Sequence, residues 1–159
     1  MLALLKERFT NYEIVELDED FWDIVNPFGK SNIGIYEEKF IAVIIEGKEL
    51  PILPARSEYV VHFDTQHRHF EEKEDAFRYI ESLMNDEICA VEFMMGGKCY
   101  FWGEIVSLKL NGLNLETLSQ EFSTFDLLNT TFTVHSFSGK YDMDGRVEKV
   151  NGKYTLILE

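Results

Sequence analysis

Two dipeptides, Gly96-Gly97 and Asn151-Gly152, constrain this chain more than any other part of it, because each sits between two strand-like runs. A two-residue hairpin turn needs positive φ at its central residues, which glycine and asparagine tolerate, and it forces the flanking strands to pair antiparallel. Around the diglycine the register places Met95 opposite Lys98 and Phe93 opposite Tyr100. The runs 88–95 and 99–107 then carry Val91, Phe93, Tyr100 and Trp102 on one face and Met94, Cys99, Phe101 and Ile105 on the other. A ribbon this apolar on both sides is expected to be central in its sheet and covered twice. Around Asn151-Gly152, Val147, Tyr154, Leu156 and Leu158 share a face opposite Arg146, Glu148, Lys153 and Thr155, the pattern of a half-buried hairpin.

Further strands are expected at 12–17, 59–63 and 130–137. A meander is expected at 33–36, 39–46 and 49–53, with turns at Glu37-Glu38 and Gly47-Lys48. Helical periodicity is clearest where Ala76, Phe77, Ile80, Leu83 and Met84 recur on one face, with Glu71, Glu72, Glu74 and Asp75 crowding the end where the helix dipole favours anions. The resulting fold class is α+β, a mostly antiparallel sheet built from hairpins, with one dominant amphipathic helix over about 72–86 and short helices at 2–9 and 114–122. The chain's 159 residues suit a single globular domain over 1–159, divisible into layers 1–55 and 56–159 at the loop after Pro51 and Pro54.

Composition bounds the partners. A hydrophobic share of 45% supports a real core, while 29 acidic against 15 basic residues give a net charge of −14. Affinity for nucleic acid or an anionic membrane surface comes mainly from cationic side chains, so neither is an expected partner. The longest apolar run, Phe40 to Ile45, is far short of the roughly 20 residues of a membrane-spanning helix, and the N-terminal stretch lacks a basic lead and an adequate apolar segment for export. Hairpin geometry keeps Cys89 and Cys99 too far apart for a disulfide, so free thiols and a cytoplasmic location are expected.

No motif is specific enough to identify a family, and no catalytic residue or cofactor is expected. Gly47-Lys48, Gly97-Lys98 and Gly139-Lys140 lack the rest of a phosphate-binding loop. Asp142, Asp144, Gly145 and Glu148 have the wrong spacing for a calcium loop and read better as a turn entering the last strand. Two clusters remain. His62, Asp64, His67 and His69 bring imidazoles and a carboxylate together, and a turn at Thr65-Gln66 would let four ligands converge on a metal, although a polar loop before the helix explains the same residues. Glu16, Asp18, Glu19, Asp20 and Asp23, interleaved with Phe21 and Trp22, combine steering charge with aromatic contact area.

We therefore expect a small acidic cytosolic binding protein that neutralises or regulates a basic partner protein, as an immunity protein or inhibitor masks a cationic toxin, with Glu16, Asp18, Glu19, Asp20, Trp22 and Asp23 as the partner-binding residues. The alternative is a metal-binding protein or metal-dependent enzyme using His62, Asp64, His67 and His69.

Overall fold

Strand pairing dominates the protein, and the fold is α+β: the described residues form two five-stranded antiparallel sheets with three α-helices. It is seen in a computed structural model that describes residues 1–39, 57–122, 127 and 130–159. The elements are α1 (Leu2–Arg8), β1 (Ile14–Asp18), β2 (Phe21–Ile24), β3 (Ile33–Lys39), β4 (Ser57–Phe63), β5 (Gln66–Phe70), α2 (Lys73–Met84), β6 (Ile88–Met95), β7 (Lys98–Val106), α3 (Leu115–Glu121), β8 (Thr131–His135), β9 (Met143–Val150) and β10 (Lys153–Leu158). A 3₁₀ turn at Ser107–Lys109 follows β7. The dominant helix is α2, and α1 and α3 are the short ones. Contacts divide the chain into two compact units. The first holds Met1–Pro27, Asn32–Phe63 and His67–Ile80, and the second holds Phe28–Ser31, Asp64–Gln66 and Glu81–Glu159.

In the first unit the strands lie in the order β1-β2-β3-β4-β5. Because side chains alternate between faces with period two, the register Ile24 to Ile33 to Phe63 and Trp22 to Ile35 to Val61 lines up six apolar residues on one face. All are buried, with Trp22 the most exposed at 4%. Phe9, at the end of α1, meets Phe77 of α2 edge-on with ring centroids 5.8 Å apart. Two expectations change here. The turn expected at Glu37-Glu38 does not form, because β3 continues through Lys39 and pairs Glu37 with Tyr59 and Glu38 with Glu58. The polar stretch 66–70 is strand β5, reached by a turn at Asp64-Thr65 in which Asp64 adopts φ 54°, a conformation aspartate tolerates better than most residues. The strands expected at 39–46, beyond Lys39, and at 49–53 lie outside the described residues.

In the second unit the order is β10-β9-β8-β6-β7. Both two-residue hairpins are present: Gly96 and Gly97 have φ of 58° and 77°, and Asn151 and Gly152 have 51° and 81°. They pair Met95 with Lys98 and Val150 with Lys153. A β-bulge then shifts the first hairpin, so Phe93 pairs with Phe101 rather than with Tyr100. The expected faces change accordingly. Val91, Phe93, Phe101 and Ile105 share the core side, whereas Glu92, Met94, Trp102 and Glu104 share the other. Of the ribbon expected to be central, only β6 is; β7 ends the sheet as the described residues form it, and it leaves Tyr100 57% exposed.

Covering the core side are Leu110 and Leu113, from the segment after β7, and Leu118 and Phe122, from α3 and its C-terminal end. The start of α3 is fixed by Asn114, whose side chain accepts a hydrogen bond from the Thr117 N–H at 3.0 Å and satisfies one of the helix's open donors. Two glycines let aromatic rings reach the sheet. A methyl group at Gly103 would stand 2.7 Å from Phe122 Cε1, and one at Gly145 would stand 2.5 Å from Phe132 Cζ and 3.0 Å from the Ile157 carbonyl oxygen.

At Gly145 the obstruction includes backbone, so the ring cannot relieve it alone. Gly145→Ala is expected to lower the free energy of unfolding by about 1–3 kcal/mol, read from a shifted urea midpoint at constant slope. An unchanged midpoint would mean that β9 and β10 separate without cost.

Candidate functional site

The acidic run folds into the β1–β2 hairpin. Glu16 pairs with Trp22, Val15 with Asp23 and, after a bulge, Asp18 with Phe21, so no two carboxylates stand directly opposite each other and the worst like-charge contacts are avoided. Glu19 and Asp20 make the turn, with Asp20 at φ 64° and the Asp18 Oδ1 accepting from the Glu19 N–H at 2.7 Å. Glu16, Asp18 and Glu19 are exposed and Asp20 is half-buried. The bulge residue Leu17 is 54% exposed beside them. Trp22 is buried in the core, its indole N–H without a hydrogen-bond partner among the described residues. Of the six residues expected to meet a partner, Trp22 therefore offers no contact area.

Asp23 takes the opposite face of the sheet and is held by the Asn32 side-chain N–H at 3.1 Å. Its cross-strand neighbour is Gly34, whose own neighbour on β4 is His62. Gly34 has no side chain, and the Phe21 ring fills the space above it: a methyl there would come within 2.9 Å of that ring and 3.2 Å of Asp23 Oδ1. Rings line up along this face across four strands. Phe21 meets Tyr36 edge-on at 5.9 Å, and Tyr36 stacks on His62 at 5.3 Å with an interplanar angle of 28°. His62 lies 5.3 Å from His67, which lies 5.2 Å from His69. The acidic and histidine clusters, separate in sequence, are thus parts of one sheet.

The three imidazoles come together, and Asp64 does not join them. Its carboxylate instead accepts from Ser31 Oγ at 3.0 Å and pairs with His135 Nε2 at 3.1 Å. The reason is the turn: with Asp64 in a left-handed conformation at the hairpin tip, its side chain leaves the face that carries His62. Among the described residues no group of three or more His, Cys, Asp or Glu is disposed to hold a metal ion, so the four-ligand set is not assembled. Tyr36 and Gly34 were not anticipated as site residues, although the two-residue period of β3 places both on the face of His62.

Burial pushes the His62 pKa below its ordinary 6.5. The neighbouring His67 and His69 push the same way, while Asp23 opposes them. Both cysteines are free. Cys89 is buried on the core face, where burial first, then Asp86 and Asp142, pushes its pKa up to about 12 and suppresses the thiolate that nucleophilic chemistry needs. Cys99 is exposed on the opposite face, and its pKa is raised by its surroundings and then by Glu92. No protein-family model matches the chain, and no curated protein or solved structure does either.

Two outcomes follow. Below pH 6.5 the unfolded chain takes up a proton at this position more readily than folded His62 does, so the stabilisation of the neutral form is present above 6.5 and lost as pH falls. Unfolding midpoints should decline through that window, and NMR titration of His67→Gln should show the His62 pKa moving up toward 6.5. A His62 pKa unchanged by that substitution would remove the coupling. Thiol titration should find Cys99 reactive in the folded protein and Cys89 only after denaturation; rapid modification of both would contradict the burial of Cys89.

Proposed function

We propose that the protein is a small acidic cytosolic binding protein that neutralises or regulates a basic partner protein, in the manner of an immunity protein or inhibitor. The observation that carries this reading is the β1–β2 hairpin. Between Arg8 and Lys30 the chain has no lysine or arginine, yet it places Glu13, Glu16, Asp18, Glu19, Asp20 and Asp23 there. Three of these acids are exposed around the hairpin tip with Leu17 among them, so charge and a small apolar contact are offered together. Acids in this arrangement raise the rate of encounter with a cationic surface and suppress association with anionic ones. Nucleic acid is not the partner this charge favours, and no helix of the described residues is long and apolar enough to cross a membrane.

A partner held this way must respond to salt, because the screening length falls from about 10 Å at 0.1 M to about 3 Å at 1 M. A basic protein captured at low ionic strength and then purified should bind with a Kd that rises steeply with added salt. That Kd should also rise at least about tenfold, or about 1.4 kcal/mol, in a Glu16→Lys, Asp18→Lys, Glu19→Lys variant. If its own activity is suppressed on binding, the variant should restore it. Affinity indifferent to both salt and charge reversal would reject the reading.

A further inference from the structure

Strand β7 carries a different kind of surface from the acidic hairpin. Phe101 and Trp102 are each 37% exposed, but on opposite faces: Phe101 lies beside Phe93, 6.1 Å between ring centroids, and Trp102 is on the face that carries Glu92. Cross-strand pairing sets Glu92 directly beside Trp102, and the two-residue period sets Glu104 next along the same strand. One strand further, Thr133 is opposite Glu92 and donates its hydroxyl to Asp144 at 2.7 Å. Cys99, paired with Met94, borders the same patch.

An indole beside carboxylates suits one kind of side chain. Guanidinium is planar and weakly hydrated, stacks on aromatic faces and forks onto carboxylate oxygens, and indole is the strongest ring acceptor for a cation. The chain already makes this combination internally: the Arg8 guanidinium lies 5.5 Å from the Phe77 ring centroid and 2.7 Å from Glu74, and Arg68 lies 5.2 Å from the Tyr79 centroid. We propose that the Trp102 face of β7, with Glu92 and Glu104, receives an arginine side chain from an extended basic segment of a partner protein. The proposal rests on the proposed function only for the sign of the partner's charge, and it places the contact in the second unit rather than on the β1–β2 hairpin.

The test uses the full chain and a blocked octapeptide alternating threonine with arginine, alongside the same peptide with citrulline, which is neutral and nearly isosteric. With Trp22 buried, acrylamide quenching reports mainly Trp102. The arginine peptide is expected to reduce that quenching and to slow alkylation of Cys99. By calorimetry, Trp102→Ala, the pair Glu92→Gln with Glu104→Gln, and the citrulline peptide should each weaken binding at least about tenfold. Trp102 is partly exposed and the glutamines are near-isosteric, so circular dichroism should show the variants folded. Charge reversal at Glu16, Asp18 and Glu19, which take no part in this site, should change peptide affinity by less than about threefold. Equal binding of the citrulline peptide, or unchanged binding by Trp102→Ala, overturns the proposal. Loss of binding in the hairpin variant alone assigns the peptide to the hairpin and overturns this site while leaving the proposed function standing. Peptide binding to neither surface overturns this site, while the proposed function stands or falls on its own salt and charge-reversal test. A dimer that dissolves in Trp102→Ala without any peptide binding assigns the face to a second copy of the chain, and likewise overturns it.

Discussion

The second unit depends on the ring of Phe93. It lies 4.8 Å from Phe122, 5.8 Å from Phe132 and 6.1 Å from Phe101, so one side chain ties β6 to β7, to β8 and to the end of α3. Each such aromatic pair adds about 0.5–1.5 kcal/mol beyond the area it buries. The arrangement also decides what the rest of β7 can show. With Phe101 drawn inward to meet Phe93 and Phe122, the extra residue of the bulge must be Tyr100, and Trp102 is then committed to the outer face with Glu92. Without the bulge, the register would return Phe101 to the outer face and turn Trp102 inward.

Charge is distributed by a comparable division of labour. Two acids of the second unit hold structure: Asp86 accepts from both the N–H and the hydroxyl of Ser138, and Asp142 accepts from the Ser136 N–H at 2.8 Å and meets Lys30 at 2.8 Å. Burial alone would raise the Asp142 pKa, but Lys30 and the Ser136 donors outweigh it and hold the carboxyl below its ordinary 3.8. The connection from β8 to β9 is thus pinned at two points by carboxylates. Many of the chain's bases are taken up locally as well, Arg8 by Glu74, Lys109 by Glu121, and Arg146 by Glu148 and Glu159. Surface pairs of this kind contribute little stability individually. Their larger effect is on where the surplus negative charge stays, and the β1–β2 hairpin has no base of its own to offset it.

Periodicity and turn chemistry made much of the fold legible in the sequence. The α2 stripe, the two glycine-bearing hairpins and the short helix at α3 rest on local rules that tertiary packing did not override. Features that were not legible depend on contacts between distant residues. The polar sequence Gln66 to Phe70 reads as a loop and becomes a strand because β4 offers it a partner, and Glu37-Glu38 reads as a turn and stays in β3 for the same reason. Asp144-Gly145 reads as a turn, yet both residues lie in β9, where the glycine makes room for Phe132. In the candidate site, the concentration of acid was visible but its orientation was not: Trp22 and Asp23, adjacent in sequence, face opposite sides of β2. The departure of Asp64 from the histidines required knowing the turn's backbone conformation.

Placing the acids and imidazoles in one sheet couples two kinds of charge. Near neutral pH, burial and mutual repulsion favour the uncharged form of His62, so this part of the face adds little positive charge beside Asp23 and the hairpin keeps its attraction for cations. As pH falls His62 takes up its proton against burial and the repulsion of its neighbours, and the positive charge it acquires stands on the same sheet as the acids that would hold a basic partner. Positive charge on that imidazole then lowers the attraction that the carboxylates exert on a cation. Gly34 stands between Asp23 and His62 in the register, with the Phe21 ring packed over it, and across this gap the carboxylate still favours the charged imidazole.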